Sequence, residues 1–550
     1  MVYGASLLVE CVFFFPQVDP EAAKWVVPQD QNAQKALLTK LNHHAAAPPL
    51  YQAEAPMWDK HNNASVIGFL YFLLPFEVLD CVIPGGCVPE WCHLPDGSAL
   101  QARFDNWARK LGIVDKSNYA KLGVWGDAAP YTKRGSVYLL LFSVLSGTQH
   151  MRYWITVFTK DVTCQCGCYG RHTFETAWSV MNWALQHMLT GIRPAVRHDG
   201  VAFQDSSLIG DRWRFKRQQE CPQLRCKACC LQFRGDWAWH KQALGLCGWK
   251  GEGNDKRVCW KCGANLTDCP FTDASLQAKF RQTISTTTGF LMVANYLAGV
   301  WAWPGFDLDF VDADFMHCAC IGIVAPCLGN ILYELILEMN GVLARPGQQI
   351  AELLRLIKFA SKQLKMEPPL NDLTFTMIKQ DGKSPRLRAK AAESRQMVPV
   401  VLYILGMFPI ETPHQQLRVK CLQALHDVYV HMVQWGPESR TLIGTRMRQH
   451  VILYSELSKE ALAKIGPTEQ WLFWRMYPKH HLIRRVCEDQ VYTIGNPRET
   501  WAYGDEHQIG RASDIAGTLH PRTVSKVLMQ QYRTSDFSQL GEQPTVAFLE

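Results

Sequence analysis

The sequence predicts an α/β protein, a mixed β-sheet flanked by helices and interrupted by a large, mainly α-helical insertion. Three observations predict it. Three apolar runs rich in β-branched and aromatic residues follow one another between Lys121 and Thr159. A helical repeat from about His172 to Thr190 separates them from a fourth run, Leu224–Phe233. From about Cys259 to Met476 the periodicity is that of helices.

Lys121–Gly126 reads as a short strand ending at Asp127, followed by strands Ser136–Leu145 and Tyr153–Thr159. In the helix, Phe174, Ala177, Trp178, Met181, Ala184, Leu185 and Met188 recur at three- and four-residue spacing, and Gly191 stops it. Leu224–Phe233 is apolar on both faces, which suits a strand inside a sheet covered on both sides. It runs into Arg234-Gly235-Asp236. Helical repeats follow at Asn330–Glu338, Gln349–Gln363, Ala389–Gly406, Gln415–Gln434 and Gly444–Ile465. Four parts result: an N-terminal region 1–115 of unassigned role, the first part of the core at 116–255, the helical insertion at 256–476 and a closing part at 477–550.

Strand–Asp, strand, strand, helix, strand–Asp is the order of the RNase H-like fold. There the first and fourth strands are neighbours, so Asp127 and Asp236 are expected side by side. An Asp at a strand end is also a common turn or helix-cap residue. Two of them at the ends of the right two strands favour the catalytic reading.

Composition narrows the function classes. With 47% hydrophobic and 19% charged residues the chain of 550 residues is a folded one, of several domains' length. A net charge of +7 permits nucleic-acid binding without arguing for it. The apolar stretch Ala5–Phe15 is interrupted by Glu10 and lacks a preceding positive region, so the 20 cysteines are expected as reduced thiols. Val66–Leu74 is too short for a membrane span, and no membrane partner is expected.

Cys259-Trp-Lys-Cys262 has the spacing of half a zinc site. Cys226 and Cys229 share that spacing on a strand, where residues three apart face opposite ways. Cys164-Gln-Cys166-Gly-Cys168 forms a third group without an evident partner. Basic residues cluster at Arg212–Arg217, at Arg386, Arg388, Lys390 and Arg395, and at Lys479–Arg485, where they can engage phosphates or form solvated faces.

Three segments carry a family resemblance. VDADFMHCACIGIVAPCLGNILYEL (311–335) is similar to the Asp-x-Met-His segment of CACTA (En/Spm-like) DNA transposases. RLRAKAAESRQMVPVVLYIL (386–405) resembles a helix of their insertion, and KHHLIRRVCEDQVYTIGNPRETWAYGDEHQIGRA (479–512) their closing segment. The resemblance implies cleavage and strand transfer at transposable-element ends by three carboxylates. Asp127, Asp236 and Glu506 would hold Mg²⁺ or Mn²⁺ as a metal pair, with Glu393 as the alternative third carboxylate. It places Glu506 on the helix after a fifth strand, His480–Arg485. It also pairs Cys259 and Cys262 with His317 around a structural Zn²⁺, with Cys269 and Cys318 as candidates for a fourth ligand. Double-stranded DNA is the implied partner, with a homo-oligomer and a nuclear location (cytoplasmic for an inactive copy) as further expectations. The alternative is a catalytically inactive, transposon-derived DNA- or protein-binding protein, because no base-reading finger or helix-turn-helix is evident.

Overall fold

The computed structural model describes residues 47–83, 88–95, 97–133, 135–146, 151–205, 209–248, 256–293, 299–339, 345–465, 473–519 and 523–537. The apolar stretch Ala5–Phe15 lies outside the described residues. The fold is mixed α/β, a six-stranded sheet with many helices.

The strands are β1 (Tyr51–Asp59), β2 (Ala64–Phe72), β3 (Tyr119–Pro130), β4 (Ser136–Val144), β5 (Arg152–Thr159) and β6 (Lys227–Gly235). Their order across the sheet is β1-β2-β5-β4-β3-β6. All neighbours are antiparallel except β3 and β6, which run parallel with Gly126 opposite Gly235. A parallel pair requires a crossover, and helix α1 (Arg171–Thr190) provides it between β5 and β6. The strands read between Lys121 and Phe233 thus form, with ends shifted by a few residues. The outer hairpin β1–β2 was not read, although Tyr51, Ala53 and Ala55 are buried in strict alternation.

Both faces of the sheet are covered. On β6, Phe233 turns to Trp178 of α1, while its neighbour Arg234 turns to Asp505. Successive strand residues point to opposite faces, so α1 covers one face and the C-terminal helices the other. At the β6 edge, Val311 forms a parallel bridge to Phe233, and Asp312 N–H donates to the Phe233 carbonyl at 3.0 Å.

The helices that position the candidate site follow in chain order. Helix α2 (Trp237–Leu244) leaves the end of β6. Helix α3 (Phe315–Met339) is long and apolar enough to cross a membrane, but 78% of its most apolar window is buried inside the protein, as in a core helix. Helix α4 (Ala391–Leu405) packs beside it, α5 (Pro413–Val433) packs against α4, and α6 (Ser439–Ile465) against α5. Helix α7 (Pro478–Arg485) continues with wide turns through Val486–Gln490 to Val491–Ile494. Helices α8 (Tyr503–Ala516) and α9 (Val524–Phe537) then return to the sheet. One apolar core runs from Ala47 to Tyr532, joining the sheet and the helical layer.

The expected strand His480–Arg485 is instead the helix α7. His480, His481, Leu482, Ile483 and Arg484 are all buried. A run buried on every side has no periodicity that separates strand from helix. Pro478 at the first helical position was the available signal, because its fixed φ suits a helix start.

Candidate metal centre

Two glycines bring the aspartates to one edge. A Cβ on Gly126 would come within 2.1 Å of the Trp239 ring, and one on Gly235 within 2.6 Å of the Gly126 carbonyl and 2.7 Å of that ring. Only with glycine at both positions can Trp239 lie across the last paired residues of β3 and β6. Asp127 follows Gly126 within β3, and Asp236 follows Gly235, the last residue of β6. Asp236 caps α2, its carboxylate accepting from Trp239 N–H at 2.6 Å. Asp127 accepts from Ala128 N–H at 2.6 Å and is buried.

Glu506 arrives on the first turn of α8, and buried ion pairs fix that helix. Asp505, fully buried, accepts from Arg234 at 2.8 Å and from Arg152 at 2.6 Å. Arg234 also donates to the Thr500 carbonyl at 2.8 Å. Consecutive residues therefore divide the work: Asp505 anchors to the sheet and Glu506 faces the strand ends.

His317 completes the group. Asp314 caps α3 by accepting from the His317 N–H at 2.7 Å, and the same oxygen, Oδ2, receives the ring Nδ1–H at 2.8 Å. Its other oxygen accepts from Ala502 N–H at 2.8 Å, just before α8. With Nδ1 so occupied, Nε2 faces Glu506 Oε1 at 3.2 Å and Asp127 Oδ2 at 3.8 Å. The Glu506 Oε1 atom is itself buried, with the His317 ring as its ion-pair partner.

The electrostatics follow from this crowding. Burial, then the charge of Asp236, pushes the Asp127 carboxyl well above its usual range; Glu506 adds to the rise and His317 opposes it. Burial works against a charged His317. Its hydrogen bonds to Asp314 and Glu506 and the charges of Asp314 and Asp127 outweigh burial and hold the imidazolium well above its usual value. Asp314 is buried as well, yet His317 keeps it below the usual carboxylate range. Without a metal, then, His317 is the counter-charge of the carboxylates.

Ligand atoms of Asp127, His317 and Glu506 all lie within 4.8 Å of one another. Asp236 stands beside Asp127 by strand register but is not in that set. Two hard carboxylates and an imidazole whose Nδ1 is held by Asp314 fit a divalent cation such as Mg²⁺ or Mn²⁺.

The expected zinc set is corrected at one residue. His317 is committed to the carboxylates, and His481 of α7 stands with Cys259 and Cys262 instead. Cys262 Sγ is 3.3 Å from His481 Nε2, and all three residues are buried. The Cys262 thiol beside Cys259, then His481, lowers Cys259 well below the usual thiol range against the effect of burial. Cys269 packs in the same small apolar cluster, but neither it nor Cys318 belongs to the ligand group. The helix start at Pro478, which turns His481 inward, was the missed signal.

Other expectations are redistributed. Glu393 is the cap of α4, accepting from Lys390 N–H at 2.7 Å, and stands apart from the carboxylate group. Cys226 and Cys229 are buried thiols, raised by desolvation, and form no ligand group. Among the basic clusters, Arg214 is buried in an ion pair with Glu77 at 2.7 Å. Arg484 and Arg485 pair with Glu488 and Asp489, at 3.2 and 2.8 Å. Arg386, Arg388 and Lys390 border an open surface hollow, and Arg395 lies over the Trp501 and Tyr503 rings leading into α8.

The comparisons with known proteins leave the site to speak for itself: no family model and no curated protein matches the chain.

Proposed function

We propose that the protein is a transposase-like, metal-dependent enzyme that cleaves and rejoins strands of double-stranded DNA, built on an RNase H-like core with a helical insertion. One observation carries this reading: Asp127 and Glu506, from distant parts of the chain, share one partly buried group where the parallel pairing of β3 and β6 stops, with Asp236 just beyond β6. The strand order β5-β4-β3-β6, a crossover helix before β6 and an acidic helix returning late in the chain support the RNase H-like assignment. The basic hollow of Arg386, Arg388 and Lys390 supports a polyanionic partner.

Asp127 and Glu506 would hold the cation, with His317 Nε2 as a third donor and Asp236 positioned for a second ion. Bound Mg²⁺ or Mn²⁺ supplies the Lewis acidity that makes water or a 3′-hydroxyl nucleophilic and stabilises the departing oxygen. In hydrolysis a water oxygen bonds to phosphorus and the P–O3′ bond breaks, leaving a 3′-hydroxyl and a 5′-phosphate. Strand transfer is the same displacement with that 3′-hydroxyl as nucleophile. Asp314 keeps the His317 proton on Nδ1, so that Nε2 is the ring atom left to face the cation. Arg234 and Arg152, through Asp505, hold the Glu506 helix in register with the strand ends.

The test is nicking of supercoiled plasmid by the purified full chain with Mn²⁺ or Mg²⁺. Asp127→Asn is expected to abolish nicking while leaving the fold intact by circular dichroism. Nicking that persists in this variant overturns the assignment.

A second reading, a DNA- or protein-binding derivative without catalysis, has one observation in its favour: Asp236 spends an oxygen on capping α2 and stays out of the close ligand set. Metal-independent DNA retention with no nicking under either metal selects it.

A further inference from the structure

The loop between β5 and α1 brings four soft ligands together from one short segment. Sulfur atoms of Cys164, Cys166 and Cys168 and a ring nitrogen of His172 all lie within 4.8 Å of one another. His172 is the partner that the cysteine spacing alone does not reveal, because it sits one residue inside the helix that follows the loop. His172 Nδ1 is 3.5 Å from Cys166 Sγ and 3.7 Å from Cys164 Sγ. With Zn–S about 2.3 Å and Zn–N about 2.0–2.1 Å, two ligands of one tetrahedral ion stand roughly 3.5–3.8 Å apart. We propose that Cys164, Cys166, Cys168 and His172 form a Cys₃His site for a structural Zn²⁺, separate from the carboxylate centre.

The backbone is folded around that point. Gly167, Tyr169 and Gly170 all have positive φ, at 97°, 55° and 85°, and Tyr169 is a bulky residue that pays strain for it. In an extended strand Cys164, Cys166 and Cys168 would share a face but stand about 6.6 Å apart along it; the turns here gather them round one point. The Gly170 N–H closes the loop on the Cys164 carbonyl at 2.9 Å. Helix α1 starts without a side-chain cap at Gly170. Burial raises the Cys168 thiol, but the N–H groups of His172 and Gly170 and the two neighbouring thiols pull it below its usual value, which suits a thiolate ligand at a helix start.

Four protein ligands leave no open position, which is the character of a structural rather than a catalytic zinc. The loop is tied to the sheet on both sides of the cluster. Thr163 bridges Met57 of β1, and Thr173 Oγ donates to the Pro56 carbonyl at 2.6 Å while accepting from Cys164 N–H at 2.9 Å. A metal here clasps the crossover helix to the hairpin β1–β2.

The experiment is metal content and thiol protection on the full chain purified under reducing conditions. The double variant Cys166→Ser/His172→Ala should contain one zinc per chain fewer than wild type. Cys262→Ser serves as the control for the other thiol cluster and should leave the 164–172 ion in place. Both Cys166 and His172 are exposed, so the double variant keeps the core intact. Independently of any variant, alkylation of Cys166 and Cys168 followed by peptide mass spectrometry should slow at least ten-fold in zinc-loaded protein and recover after chelation. Equal zinc in wild type and the double variant, alkylation indifferent to zinc, or a disulfide among the three thiols overturns the proposal.

Discussion

The partly buried carboxylate centre and the buried thiol cluster of Cys259, Cys262 and His481 each hold one histidine, yet they are built on opposite principles. At the carboxylates, like charges are forced together: Asp127, Asp236 and Glu506 repel, and protonated His317 offsets only part of it. At the thiols, one group lowers itself at the other's expense inside an apolar cluster with Phe271 and Phe280. His481 stacks edge-on against Phe280 at 4.5 Å. The first arrangement is costly until a cation arrives; the second is a small core in its own right. What a histidine does is decided by what its Nδ1 or its ring face is already bound to, and here Asp314 commits His317 to the carboxylates.

Four substitutions test that contrast. The largest effect is expected from Arg234→Ala, which leaves Asp505 buried with Arg152 alone. Loss of one partner of a buried pair costs about 3–5 kcal/mol, and the remaining arginine puts this case at the lower end. Chemical denaturation should show that loss, together with loss of nicking as α8 shifts. Unchanged stability would mean that Asp505 does not anchor the helix.

Asp314→Asn comes next. It keeps the α3 cap but removes the charge that orients His317, and loss of such a supporting contact lowers metal affinity about 10–100-fold. Titration with Mn²⁺ reads this directly, and wild-type affinity in the variant would break the link between His317 and the metal.

Asp127→Asn is expected to stabilise the metal-free protein at neutral pH by about 1–2 kcal/mol. The sign follows from linkage. The folded Asp127 has its pKa raised, so its ionisation costs stability, and the cost grows as pH rises above the unfolded value and through the raised one. The gain on substitution should therefore vanish at acid pH, where Asp127 is protonated and equivalent to Asn. Thermal melts across pH measure it, and added Mn²⁺ should reverse the order by stabilising only wild type. A variant that melts lower at neutral pH contradicts the crowding of charge at this site.

The smallest effect belongs to Glu393→Ala, which removes a helix cap worth about 0.5 kcal/mol. Nicking should be unchanged. A loss of activity here would return Glu393 to candidacy as the third carboxylate.

Much of the sheet was legible because its signals are local. The runs Ser136–Val144 and Arg152–Thr159 are almost wholly buried, so their apolar character announces them. The adjacency of Asp127 and Asp236 followed from strand order, since a crossover helix between β5 and β6 permits the parallel pairing with β3. The hairpin β1–β2 escaped because Met57 and Trp58 follow one another at the end of β1, and Val66, Ile67 and Phe69 of β2 are exposed, which blurs the alternation. The exchange of His317 for His481 was beyond local reading for another reason. Both histidines lie far from the cysteines in sequence, and only the packing of α7 against the 258–280 cluster brings one of them close. Asp314-x-x-His317 did carry a usable sign: an Asp cap three residues before a histidine at a helix start can hold both its N–H and its ring.

Asp314 spends one carboxylate oxygen on His317 and the other on the backbone of Ala502. That single side chain imposes an order on biosynthesis. While the ribosome is still making the helical layer, Asp127, Asp236 and His317 have already emerged, but the residues that seat Glu506 have not. A nascent or prematurely ended chain that stops before Tyr503 carries the strand ends without their closing carboxylate. The centre becomes complete only once Glu506 has been translated and its helix has docked against what was made first.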